Sequence, residues 1–205
     1  MSGSGNVYEF EYDWFSGNTP TIKDAIRLVI TPESPLNMVE IGSWEGRSAV
    51  WFLENVLTHE DSTLHVIDPW DCPIGETIEA RFDHNTGLAL QTSPARLIKH
   101  KGHSTDVLPT LPASTFDVIF IDGSHLARDV FMDTALAWRL LRPGGVLIWD
   151  DYLLEHKVEF RDGRAVPVEA TDVECPKMAI DAFLECFEPV CKVIHLDYQI
   201  IVQKQ

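Results

Sequence analysis

The chain has 205 residues, ordinary globular composition (45% hydrophobic, 23% charged) and a formal net charge of −16. That composition excludes a disordered or fibrous chain and sets the expectation of a single domain over 1–205, with 1–30 as an N-terminal cap and 31–205 as the core. The negative charge repels phosphate backbones and anionic lipid, so nucleic acid and membrane are not expected partners.

The first six residues, Met1-Ser2-Gly3-Ser4-Gly5-Asn6, have neither a basic region nor an apolar one, so no leader peptide is expected there. No apolar run approaches the roughly 20 residues that span a bilayer. The cysteines, Cys72, Cys175, Cys186 and Cys191, form no CxxC pair and are read as reduced thiols in a cytoplasmic protein.

In chain order, a helix is expected over Thr21–Ile30, then a strand over Leu36–Ile41 and a helix over Gly46–Leu57. Strand Leu64–Ile67, helix Thr77–Gln91, strand Arg96–Lys99 and a short helix Ser104–Leu108 follow. Strand Phe116–Ile121, helix Leu126–Leu141 and strand Val146–Trp149 continue the alternation, with Arg142-Pro143-Gly144-Gly145 as a helix stop and turn. Most of the strand runs are apolar without period-2 alternation, as strands covered by helices on both faces are. The alternation implies crossovers and an α/β doubly wound, mostly parallel sheet. Leu153–Cys175 is polar and aperiodic, and reads as a loop or flap. After helix Lys177–Phe187, the runs Val190–Leu196 and Gln199–Val202 are too close for a crossover and imply an antiparallel hairpin.

Open α/β sheets bind ligands beyond the C-terminal ends of their strands. After the first strand, Glu40-Ile41-Gly42-Ser43-Trp44-Glu45-Gly46-Arg47-Ser48 makes a tight glycine turn into a helix. It is not a dinucleotide fingerprint, because Trp44 stands where a glycine would face a pyrophosphate. After the second strand, Asp68-Pro69-Trp70 puts an acid where a ribose is commonly held; capping of its own turn is the alternative. After the third strand come His103 and Ser104, where the backbone N–H groups at Ser104 and the His103 side chain could edge an adenine; a helix cap at Ser104 and a plain surface-loop histidine at His103 are the alternatives. Asp122 ends the fourth strand, with His125 shortly after, and Asp150 and Asp151 end the fifth. Three acids on adjacent strand tips suit Mg²⁺ or a similar divalent cation; capping of helices or hydrogen bonding to the loops by Asp122 and one of the pair is the alternative.

Together these residues resemble class I S-adenosylmethionine-dependent methyltransferases, in particular small O-methyltransferases akin to catechol O-methyltransferase and to cephalosporin- and macrolide-tailoring enzymes. The resemblance rests on Glu40-Ile41-Gly42…Gly46-Arg47-Ser48, Ile67-Asp68-Pro69-Trp70, Phe116–His125, and Leu141-Arg142-Pro143-Gly144-Gly145 before Asp150-Asp151-Tyr152; Asp13-Trp14-Phe15-Ser16 is similar too. It implies a seven-stranded sheet ending in an antiparallel hairpin. It also implies a cofactor site in which Glu40, Gly42 and Ser48 shape the methionine end. Ser43, Gly46, Trp70 and Asp122 stand in the same loops, Asp68 holds the ribose, and His103 and Ser104 lie near the adenine. Asp122, Asp150 and Asp151 would hold a Mg²⁺, with Asp122 and His125 catalytic and His125 the base. Catechol-type enzymes have Asn and Lys where this chain has Asp151 and His125, which argues against a catechol acceptor. Trp14, Phe15, Trp44, Trp70, Trp149 and Tyr152 are available for an aromatic pocket, Trp149 being the most suited to the core.

The expected activity is methyl transfer to a hydroxyl of a small molecule, by a chain able to form a homodimer. A non-catalytic S-adenosylmethionine-binding protein is the alternative, and a nicotinamide enzyme is disfavoured by Trp44.

Overall fold

Each short apolar run becomes a strand of one seven-stranded sheet in the computed structural model, which describes residues 7–31, 34–72, 74–161 and 164–205. Met1–Asn6, on which the leader-peptide reading rests, lie outside the described residues. The strands are β1 (Asn37–Ile41), β2 (Thr63–Asp68), β3 (Arg96–Lys101), β4 (Phe116–Ile121) and β5 (Leu141–Trp149). Then come β6 (His156–Arg161), β7 (Arg164–Glu169), β8 (Cys191–Leu196) and β9 (Ile200–Lys204). The sheet order is β3-β2-β1-β4-β5-β9-β8, with the first five strands parallel and the β8–β9 hairpin antiparallel.

Among the described residues, six α-helices accompany the strands: α1 (Thr19–Val29), α2 (Arg47–Asn55), α3 (Gly75–Ala89), α4 (Ser104–Val107), α5 (Ala127–Leu140) and α6 (Lys177–Phe187). The lack of alternation has its cause in two cores. Met38, Val66, Phe120 and Ile148 pack under Ile22, Phe52 and Phe82 of α1–α3. Val39, Ile67, Ile119 and Trp149 pack on the opposite face against Val130, Trp138 and Phe183 of α5 and α6. Neighbouring residues of one strand thus serve different faces and are both buried.

Three local expectations change. α1 starts at Thr19 rather than Thr21, because Pro20 in the first turn forfeits no helical hydrogen bond. Arg142–Gly145 is part of β5: pairing runs from Phe116↔Leu141 to Val118↔Val146, and Gly144, at φ +78°, takes up the extra length as a bulge. The segment expected as a loop over Leu153–Cys175 instead contains the antiparallel hairpin β6–β7, paired from His156↔Glu169 to Arg161↔Arg164. A short helical turn follows, Asp172–Glu174, with a capping box between Thr171 and Glu174. The four cysteines are free, and among the described residues no helix is long and apolar enough to cross a membrane.

Candidate active site

The sheet order reverses between β1 and β4, and the loops leaving these two strands cross at close range. Gly42, at φ +81°, follows β1; a Cβ there would collide with the Asp122 carbonyl. Ladder bonds hold the crossing: Gly42 N–H donates to Ile67 O (2.9 Å) and Asp122 N–H to Ile41 O (2.8 Å). Gly46, at φ +80°, caps α2 and lies against the Phe82 ring. Glu40 is fully buried behind this turn, where its carboxylate accepts from the Ser48 and Ser43 hydroxyls. Burial pushes its pKa up to about 8, and the two serines oppose that shift.

Asp68 is the knot of the next loop. Its Oδ2 accepts from the backbone N–H groups of Ser43 (2.9 Å) and Trp44 (3.1 Å), and its Oδ1 from that of Trp70 (2.8 Å). The Trp70 indole donates to Trp44 O at 3.0 Å, and both tryptophans have positive φ, +46° and +50°. Turn capping is therefore realised at Asp68. Three donors still leave a carboxylate about one acceptor position, and Asp68 lines the cavity described below.

On the β4 and β5 side, ligating atoms of Asp122, His125 and Asp151 lie within 4.8 Å of one another. His125 Nε2 is 3.1 Å from Asp151 Oδ2, and the Tyr198 hydroxyl donates to Asp151 Oδ1 at 2.6 Å. Burial alone would raise Asp151, but His125 and Tyr198 hold it below the usual carboxylate range. Burial would lower His125, and the Asp151 carboxylate overrides it and raises the imidazole. Asp122 is pushed well up, first by burial and then by the charges of Asp150, Asp151 and Glu40. Asp151 has φ +59°, a strained backbone for a non-glycine, of the kind that gathers at functional sites.

Asp150 departs from the expected set of three ligands. It is buried, and its carboxylate accepts from the side-chain amides of Asn18 (3.3 Å) and Gln199 (3.1 Å) and from Asp151 N–H (3.0 Å). Its burial raises it to about 7. His125 takes its place in the cluster.

A cavity of about 900 Å³ joins these loops. Gly42, Ser43, Ser48, Asp68, Trp70, His103, Ser104, Asp122, His125, Asp150 and Asp151 line it; Glu40 and Gly46 do not, and act on its wall from behind. Trp14, Phe15 and Trp44 line it as well, whereas Trp149 is wholly buried with its indole on Thr134 Oγ1 (2.8 Å) and Tyr152 is turned to Asp181. His103 is an exposed loop residue 3.4 Å from Asp71.

The N-terminal segment roofs the cavity. Tyr12 and Trp14 stack at 4.8 Å, and Trp14 lies 6.2 Å from Trp44. Arg47 Nε donates to Tyr12 O, Arg81 pairs with Glu11 and Glu45, and Asn85 exchanges two hydrogen bonds with the Glu9 backbone. The sequence reading missed Asn18, Asp133, Tyr198 and Gln199. Nothing in a local pattern marks them, because each meets its partner across 29 to 132 residues of chain.

The chain is similar in sequence and in fold to known methyltransferases. A protein of Mycobacterium sp. (strain JLS), provisionally named an O-methyltransferase, is 27% identical over 156 residues, 76% of this chain and 63% of that protein. The matches span 45–66% of the length of the curated relatives. Among solved structures, the O-methyltransferase of Bacillus cereus in complex with S-adenosylhomocysteine has a TM-score of 0.60 at 20% identity, over 90% of this chain and 81% of that one. The S-adenosylmethionine complex of the Streptomyces achromogenes O-methyltransferase TomG has a TM-score of 0.59 at 21% identity, over 91% and 80%. At those identities the likeness is one of fold. A family model described as a methyltransferase domain matches residues 39–152. That segment is more than half of the chain and carries the loops after β1 to β5, so the chain belongs to the methyltransferase-domain family.

Proposed function

We propose that this chain is an S-adenosylmethionine-dependent O-methyltransferase acting on a hydroxyl of a small molecule. The observation that carries this reading is one cavity shared by the β1 glycine turn, Asp68 and Ser104 on one side and the His125–Asp151 pair on the other. S-adenosylmethionine, when bound, supplies an electrophilic methyl group on a sulfonium. The residues present fit it. Gly42 keeps the wall flat, Asp68 keeps an acceptor position for a ribose hydroxyl, and the surrounding carboxylates favour a cation.

The protein's own part is alignment and proton removal. His125 commits Nε2 to Asp151, and Nδ1 has no partner among the described residues. Nδ1 is thus the atom that takes the acceptor's hydroxyl proton, while Asp151 fixes the tautomer and stabilises the imidazolium. Tyr198 keeps Asp151 oriented. Tyr12, Trp14 and Trp44 give the cavity an aromatic roof, which would limit water around a bound sulfonium. An acidic cavity under a roof disfavours an RNA or DNA acceptor.

A divalent cation is a second reading, favoured by the clustering of Asp122, His125 and Asp151. One imidazole with two carboxylates suits a borderline metal more than Mg²⁺, which prefers oxygen donors alone. It would also occupy His125.

The test is turnover to S-adenosylhomocysteine against a panel of hydroxylated metabolites, in EDTA and with Mg²⁺ or Mn²⁺. Turnover that persists in EDTA and is lost in His125→Ala supports the pair as base. Turnover that requires a divalent ion makes Asp122, His125 and Asp151 its ligands. Binding of S-adenosylhomocysteine without turnover on any acceptor leaves a binding protein with this fold.

A further inference from the structure

Beyond these residues, the cavity wall carries a buried carboxylate to which the proposed chemistry gives no role. Asp133 lies on α5 and is 3% exposed, yet it lines the cavity. Its Oδ1 accepts the Ser104 hydroxyl at 2.5 Å, and its Oδ2 has no donor among the described residues. No cation faces it. The charge it feels is that of Asp129, whose own oxygens accept from Ser124 and Arg128, and the neighbouring Thr134 hydroxyl oxygen accepts from the Trp149 indole. Burial raises the Asp133 carboxyl to about 6, the mark of a desolvated carboxylate short of donors. An acceptor oxygen left open on a cavity wall is suited to a ligand N–H.

Position decides which N–H. The sheet runs outward from β1 through β2 to β3. Asp68 stands at the tip of β2, and Ser104, bridged to Asp133, follows β3. A nucleoside with its ribose at Asp68 therefore sends its base toward Ser104 and Asp133. We infer that Asp133 Oδ2 accepts a hydrogen bond from the exocyclic amino group of the adenine and makes this site select adenine over 6-oxopurines. This inference rests on the S-adenosylmethionine reading. Adenine offers donor hydrogens at that edge, whereas hypoxanthine offers a carbonyl oxygen, which would face the carboxylate acceptor to acceptor. Ser104 holds the carboxylate in register without touching Oδ2.

The experiment is calorimetric titration of the full chain at pH 8 with S-adenosylhomocysteine and S-inosylhomocysteine. Wild type should prefer the adenosyl compound by about tenfold or more, as expected for one charge-assisted hydrogen bond and one avoided clash. In Asp133→Asn the amide oxygen can keep the Ser104 bond and turn Nδ2 to the cavity, so the preference should collapse or reverse in favour of the inosyl compound. Ser104→Ala releases the carboxylate from its register and should weaken the adenosyl preference without reversing it. A structural role alone would weaken both ligands equally and leave their ratio unchanged, and that result overturns the inference. If Asp133→Asn does not fold, the wild-type ratio decides: equal affinities overturn the inference. Failure of wild type to bind either compound overturns the S-adenosylmethionine reading as well, whereas binding without discrimination overturns the Asp133 assignment alone.

Discussion

Glu40 is held in the protonated form near neutrality by burial, and that has a direct consequence for stability. Its folded value is about 8 against an ordinary 4.5, so between those values the native state binds the extra proton. Stability from this group is full below about pH 4.5 and is lost as pH rises toward 8, to a total on the order of a few kcal/mol. Glu40→Gln should flatten the fall between pH 5.5 and 8 in urea unfolding curves; an unchanged slope would mean the carboxyl is not carrying the proton. At His125 the sign concerns activity. The raised imidazole must be neutral to act as a base, so kcat/KM should climb with pH through a value above the ordinary 6.5. Asp151→Asn removes the partner that raises it, so the acid limb should move to lower pH and the maximal rate should drop. A limb that stays in place would dissociate the pair from the chemistry.

The elements show why some residues matter more than their chemistry suggests. The N-terminal roof is pinned by Arg81, which reaches both exposed Glu11 and buried Glu45. Arg81→Ala strips Glu45 of its cation and loosens the roof together. It should cost about 1–3 kcal/mol, the lower end reflecting Arg81's partial exposure, and raise the KM for the acceptor; unchanged KM with lowered stability would restrict Arg81 to a structural role. The strands of the main sheet were legible because burial on both faces writes a continuous apolar run, and their tips mark the loops that line the cavity. The hairpin β6–β7 was not, because its charged ribbon lies outside the main sheet and Pro167 within it argues against a strand. The partners of the strand-tip acids were also hidden. Asn18 and Gln199 reach Asp150 from opposite ends of the chain, and only the completed fold brings them within a hydrogen bond of this buried strand-tip acid.

For the whole molecule, the charge of −16 is distributed with a purpose that the proposed cofactor makes testable. Several cations are already engaged at the surface: Lys99 and Lys101 share Glu79, and Arg142 is bound to Asp117. The cavity meanwhile takes in Glu45, Asp68, Asp71, Asp122, Asp129, Asp133, Asp150 and Asp151 against Arg47 and Lys157. Such walls keep a negative potential focused within the cleft. S-adenosylmethionine carries one more positive charge than S-adenosylhomocysteine and otherwise nearly the same contacts. The field should therefore favour the sulfonium at low salt and lose part of that advantage as the Debye length shrinks from about 30 Å at 0.01 M to about 8 Å at 0.15 M. Titrations of both compounds across that range should give a steeper salt dependence for S-adenosylmethionine. Parallel slopes would mean that protons on Asp122 and Asp150 have already cancelled the field where the sulfonium lies.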